Sequence, residues 1–228
     1  MRLSIVIFDG FTSLDAIGGY EVLSRIPGME VEWVAERRGV VAADTRRLGL
    51  MAFREFAEVE STDVLYVPGG PGGLIGEQDQ RLLAFIRKLD ATSTWTVGIC
   101  NGVGLLAAAG LLEGRTAATN WFYQDRLRAR GVTFTPARYH RDGKYVTGAG
   151  VSASLDTAIF LTNLLAGETF AKAIQLGVEY YPAPLFPEKT PAEVAPEIQD
   201  IVRNFEESGG AEIMATQPPF SSIGRKVA

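Results

Sequence analysis

Three runs of this chain, Leu3–Phe8, Asp63–Val67 and Trp95–Ile99, are built almost entirely of β-branched, aromatic and other apolar residues. None of them alternates polar with apolar positions. A strand of that kind has both faces covered, which is the condition of a parallel sheet lying between two layers of helices. Helical segments separate the runs. Residues 15–26 carry Ile17, Tyr20, Val22 and Leu23, and residues 80–89 place Leu82, Leu83, Phe85, Ile86 and Leu89 at helical spacing. Residues 103–112 are nearly all Leu, Ala, Val and Gly, and Gly110 closes them. Strand–helix alternation of this kind predicts an α/β fold, with the ligand crevice beyond the carboxyl ends of the strands.

The remaining segments fit around that frame. Met29–Val34 alternates, as an outer strand does, and residues 42–53 read as a strand or loose hairpin with basic residues. Residues 116–121 form a short strand and 122–130 a helix. Residues 132–140 and 145–147 read as a hairpin with Asp142-Gly143 in its turn. A helix over 154–165 and another after Gly167 follow, the second broken at Tyr180–Pro184. Thr190 to Glu193 has the form of a capping box with Pro191 at the first helical position, which predicts a helix over 191–207. Residues 208–228 are polar and punctuated by Gly and Pro, and either wrap a neighbour or are mobile. The expected organisation is one α/β domain over 1–187, with a C-terminal helix and tail over 188–228 packed on it or on a partner.

Cys100 stands where the third apolar run turns into a helix. The junction Gly98-Ile99-Cys100-Asn101-Gly102 is the small-x-nucleophile-x-small pattern of a nucleophile elbow, with Cys in place of Ser. A turn that lifts one side chain above a sheet crowds the backbone on either side, and glycine relieves the crowding. The alternative is a small buried hydrophobe, the usual role of a single cysteine. As a nucleophile, Cys100 would react as thiolate, favoured by the helix N-terminus that follows it. The N–H groups of Asn101, Gly69 and Gly70 are candidates to hold a developing negative charge. Gly69–Gly73 is otherwise a tight turn.

A proton donor is needed beside the sulfur. The one histidine, His140, falls at the edge of the expected hairpin and reads as a surface residue. Asp15 is the better candidate, because Leu14, Ala16 and Ile17 surround it with apolar groups at a crevice-facing loop. Its alternative role is to cap its helix. Glu21 lies six residues further along and points elsewhere.

Composition narrows the function classes. The 228 residues are 46% hydrophobic and 21% charged, enough for one substantial core. A formal charge of −5 with scattered Lys and Arg leaves no footprint for nucleic acid. One cysteine and one histidine exclude an internal disulfide and argue against a zinc site. The first apolar run is too short for a signal peptide, and residues 103–112 are too few to span a bilayer. A cytoplasmic setting is expected, with no membrane and no nucleic acid as partners.

Over roughly residues 1–185 the chain resembles the ThiJ/PfpI superfamily. The marks are the elbow at Gly98–Gly102 and the run Gly104–Arg115 after it. Within the superfamily the likeness is to the isocyanide hydratase group. Leu14–Gly18 looks like its acid-bearing loop, and Val67–Gly70, Thr119–Trp121 and Gly148–Val151 like its pocket segments. Tyr180 and Pro182–Pro184 match the segment after its last core helix. The resemblance implies a flavodoxin-like parallel sheet sandwiched by helices, a homodimer, and hydration of an isocyanide to an N-substituted formamide without a cofactor. It makes Cys100 the nucleophile, Asp15 the general acid, and Gly69, Gly70, Asn101, Asn120, Trp121 and Val151 the oxyanion and substrate-binding set. The chain departs from the hydratase pattern at Asn101, where that pattern has Thr, and at Asn120, where it has His. Two other classes stay open: a cofactor-free Cys enzyme acting on α-oxoaldehydes or amides, and a cysteine redox sensor.

Overall fold

The computed structural model describes residues 1–186, 188, 190–206 and 215–216. In chain order the elements are β1 (Arg2–Val6), α1 (Ser13–Leu23), β2 (Glu30–Ala35), β3 (Gly39–Ala42), β4 (Gly49–Ala52), β5 (Arg54–Glu55), β6 (Val64–Val67) and α2 (Pro71–Gly76). They continue with α3 (Gln80–Asp90), β7 (Trp95–Ile99), α4 (Gly102–Ala108), β8 (Thr116–Ala117), α5 (Gln124–Arg128), β9 (Thr133–Phe134), β10 (Tyr139–Asp142) and β11 (Tyr145–Gly148). Helices α6 (Ala153–Ala166), α7 (Glu168–Gly177) and α8 (Pro196–Asn204) complete the described chain.

Seven strands form one sheet in the order β10-β11-β7-β6-β1-β2-β5, parallel throughout except for β10 at its edge. Side chains along the inner strands go alternately to two cores, as the period of two requires. Leu65 and Val67 of β6 enter a cluster with Leu82, Ile86 and Leu89 of α3 and Leu105 and Leu106 of α4. Val64 and Tyr66 enter the opposite cluster with Ala16, Val22 and Leu23 of α1 and Ala158 and Leu161 of α6. The expected flavodoxin-like α/β sandwich is the observed one. In it β7, β6 and β1 are adjacent, so the segments after them, carrying Cys100, Gly69 and Asp15, open at one end of the sheet.

Three sequence expectations need correction. The Pro-Gly-Gly run is no bare turn: Gly70 is the N-cap and Pro71 the first residue of α2. The single strand expected over 132–140 is two, β9 pairing in parallel with β8 and β10 pairing antiparallel with β11. Pro136 between them has no N–H for a ladder, which separates the two. The Thr190–Glu193 box forms only a 3-10 turn, and the helix begins at Pro196, a second proline suited to a first turn. Residue 207 of the expected helix, and the tail over 208–228 apart from 215–216, lie outside the described residues. Among those residues no helix is long and apolar enough to cross a membrane.

Candidate active site

Cys100 follows β7 with φ at +57°. That left-handed conformation costs a non-glycine residue about 1 kcal/mol or more, so the surroundings must impose it. Its N–H donates to Gly148 O at 3.0 Å, and Thr119 Oγ1 donates to Cys100 O at 2.6 Å. The flanking glycines of the elbow answer to close approach. A Cβ on Gly102 would stand 2.4 Å from Val67 O and 2.5 Å from Pro68 O, and one on Gly98 would stand 2.8 Å from Leu106 Cδ1.

Asp15 lies in the first turn of α1 and is fully buried. Thr12 holds the N-cap position, so Asp15 is not a helix cap. Its Oδ2 accepts the Gly69 N–H at 2.9 Å, and Tyr66 OH donates to its backbone carbonyl at 2.7 Å. Oδ1 has no hydrogen-bond partner among the described residues. The carboxyl is pushed up to about 8, chiefly by burial and then by the charges of Asp44 and Glu206, against the Gly69 N–H and the Cys100 thiol, which pull it down. The Cys100 thiol is likewise pushed well above its ordinary value, first by burial and then by the charge of Asp15, against the amides of Asn120 and Asn101. The expected thiolate at a helix N-terminus is therefore corrected. Burial outweighs what the short α4 supplies, and near neutral pH the pair keeps its protons.

The expected donors are arranged differently from the sequence reading. The Gly69 N–H goes to Asp15, and the Gly70 N–H goes to Asn101 Oδ1 at 2.6 Å. Asn101 Nδ2 returns to Gly70 O at 2.9 Å. This reciprocal pair ties the elbow to the end of β6, and it leaves neither glycine N–H open toward a substrate oxyanion. Asn120 does reach the sulfur: its Nδ2 donates to Cys100 Sγ at 2.8 Å. Trp121 stands beside it with the Arg203 guanidinium 4.5 Å from its ring centroid. Val151 is 41% exposed, just before the N-cap of α6. His140 sits on β10, the outermost strand, and Glu21 pairs with Arg25 on the surface of α1.

Sequence reasoning missed Tyr66, which reads as plain core within an apolar strand. Thr119 and Gly150 lie in the expected pocket segments, and a Cβ on Gly150 would stand 3.1 Å from Cys100 Sγ. Sequence reasoning also missed Asp44 and Glu206, distant in sequence from every motif. The described residues hold no cluster of metal-ligating side chains. A cavity of about 540 Å³ lies elsewhere, between the ends of β1 and β2 and helix α2. The acids around it are already engaged: Asp9 with Arg46, Glu36 with Arg81, and Asp79 as the cap of α3.

Known proteins are similar to this chain over most of its length. The chain is 35% identical over 201 residues to the isonitrile hydratase of Pseudomonas putida, covering 86% of this chain and 88% of that protein. It is 28% identical over 152 residues to a deglycase of Thermococcus kodakarensis, covering 64% of this chain and 89% of that one. The crystal structure of a ThiJ/PfpI family protein from Pseudomonas syringae matches with a TM-score of 0.86 at 28% identity, over 94% of this chain and 89% of that one. The model of the DJ-1/PfpI family matches residues 1–163, a span that holds Asp15, Gly69, Cys100 and Asn120 alike, and the chain belongs to the DJ-1/PfpI family.

Proposed function

We propose that the protein is an isocyanide hydratase, converting an isocyanide and water to an N-substituted formamide. The observation that carries this reading is the buried pair of Asp15 and Cys100, whose carboxyl accepts the Gly69 N–H and whose sulfur accepts from Asn120, with burial raising both groups. An isocyanide carbon needs both a nucleophile and a proton, and the pair supplies the two together. Cys100 Sγ bonds to the terminal carbon while the Asp15 carboxyl gives that carbon its proton and takes up the thiol proton. The product is a thioformimidate, R–N=CH–S–Cys100. Water then adds to the imidate carbon, Asp15 relays its proton to nitrogen, and the C–S bond breaks with the proton returning to sulfur. The sum is isocyanide plus water giving formamide, with no redox change. General acid–base help of this sort is worth about 10²–10⁴ in rate. Asn120 stabilises negative charge on sulfur as the bonds form and break, and Trp121 and Val151 line the approach.

The test is ultraviolet-monitored conversion of an aryl isocyanide, with Cys100→Ala as control. Turnover that vanishes in the variant is the expected result; absence of turnover in the wild type overturns the reading. The likeness to deglycases supports a second reading, action on α-oxoaldehydes, which predicts glutathione-independent loss of methylglyoxal. The redox-sensor alternative loses its premise, an exposed thiol of low pKa, because Cys100 is 6% exposed and its thiol is raised.

The protein acts as a homodimer in the cytoplasm on this proposal. Helix α8 supports the dimer. Ile198, Ile201, Val202 and Phe205 form an apolar stripe at helical spacing, and each is exposed by at least 36%. Gln199, Arg203 and Glu206 take the more covered side. An apolar stripe turned outward suits a second copy. Light scattering should report the mass of two chains, and a one-chain mass at micromolar concentration overturns it.

A further inference from the structure

The end of α8 lies against the segment that holds the Cys100 sulfur. Arg203 lies on the Trp121 ring, and Trp121 adjoins Asn120, whose amide holds the sulfur. Glu206 comes one turn after Arg203 and shares its partly covered side. The charge of Asp44, on the loop between β3 and β4, acts on it. Thr12 Oγ1 donates to Asp44 Oδ2 at 2.7 Å, and the Asp44 N–H donates to Phe11 O at 2.9 Å, which fixes this acid beside the loop that carries Asp15.

We propose that Glu206 and Asp44, with the Arg203–Trp121 contact as the anchor, form an acidic outer wall that admits neutral or cationic substrates to Cys100 and rejects anionic ones. The proposal rests on Cys100 being the reacting group. The Glu206 carboxyl is raised by burial and then by the charge of Asp44. The field of the wall reaches the chemistry: Asp44 and Glu206 both raise Asp15, and Glu206 raises Cys100. Arg203 lies on the Trp121 ring and Arg46 pairs with Asp9. A carboxylate-bearing substrate would therefore approach the sulfur against two like charges in a partly desolvated passage, where Coulomb interactions exceed their strength in water.

Cys100 is the one cysteine of the chain, so alkylation reads this site alone. The experiment compares the rates of Cys100 alkylation by neutral iodoacetamide and by anionic iodoacetate at pH 8.5 and low salt, with 2-mercaptoethanol as the free-thiol reference. Thiol acidity cancels in the ratio, because one sulfur meets both reagents. The wild type should favour iodoacetamide about tenfold more than the free thiol does, an excess that shrinks as salt is added. Asp15 contributes to that excess, so the variants isolate the wall. Glu206→Gln and Asp44→Asn should each lower it about threefold, Arg203→Ala should lower it by releasing the turn, and Glu206→Asp should keep most of it. A wild-type ratio equal to that of the free thiol, or a ratio unmoved in Glu206→Gln and Asp44→Asn, overturns the wall. Isocyanide turnover is scored separately. Selective alkylation without turnover sinks the hydratase reading and leaves the wall standing, whereas turnover with unselective alkylation does the reverse.

Discussion

The Asn120 amide donates to the Cys100 sulfur at 2.8 Å while its Oδ1 accepts the Tyr123 N–H at 2.9 Å. The second bond fixes which end of the amide faces the sulfur, so the donor is held in place before any charge develops there. A preorganised donor of this kind is worth about 10²–10³ in rate when the charge it meets belongs to the transition state.

Asn120→Ala is accordingly expected to slow turnover by about 10²-fold and to raise the thiol pKa further. Alkylation by iodoacetamide across a pH series measures the second effect. Asn120→Asp is expected to be worse, because it places a like charge against the sulfur. A thiol titration unchanged in Asn120→Ala would remove this role.

Asp15→Asn retains an oxygen for the Gly69 N–H and loses the transferable proton. Turnover is expected to fall about 10²-fold or more while Cys100 remains open to alkylation and the circular dichroism spectrum is unchanged. Since Thr12 and not Asp15 holds the N-cap position, preserved turnover cannot be attributed to a capping role. It would mean that some other group carries the proton.

Gly102→Ala tests the elbow itself. The added Cβ would meet two backbone carbonyl oxygens, Val67 O at 2.4 Å and Pro68 O at 2.5 Å, and backbone cannot swing aside as a side chain does. Relief requires β6 and α4 to separate, at a cost of about 2 kcal/mol or more. A lower melting temperature together with lost activity is expected. An unchanged melting curve would show that the junction has slack.

The parts of this design legible in the sequence are those set by short-range pattern. Leu3–Phe8, Asp63–Val67 and Trp95–Ile99 announce the inner strands because burial on both faces removes polar residues from consecutive positions. The glycines around Cys100 announce the elbow for a similar steric reason. The partners of the site are less legible, because the fold and not the local chain brings them together. Tyr66 is one apolar-run residue among several until its hydroxyl meets the Asp15 carbonyl. Asp44 and Glu206, far apart in the chain, act on each other and on Asp15 only once the fold is formed. The Gly69 and Gly70 N–H groups looked free because sequence shows donors without their acceptors. The thiol's raised pKa followed from burial, which a motif does not report.

The pH response of Asp15 offers the sharpest check on the site. Its carboxyl moves from an ordinary 3.8 to about 8 in the folded protein. Below the lower value it is protonated both folded and unfolded, and its contribution to stability is fully present. Between the two values the unfolded chain ionises and the folded chain does not, so this contribution is lost as pH rises and the loss is complete above about 8. Asp15→Asn has no such titration. Its melting temperature relative to wild type should therefore climb from pH 4 to pH 8 and then level off. Activity should carry the same signature with the opposite consequence. The proton-bearing pair is the reacting form, so wild-type kcat/KM should fall on an alkaline limb centred near 8, and the residual activity of Asp15→Asn should lack that limb. A wild-type rate that rises through this range would mean that the free thiolate, and not the protonated pair, is what attacks.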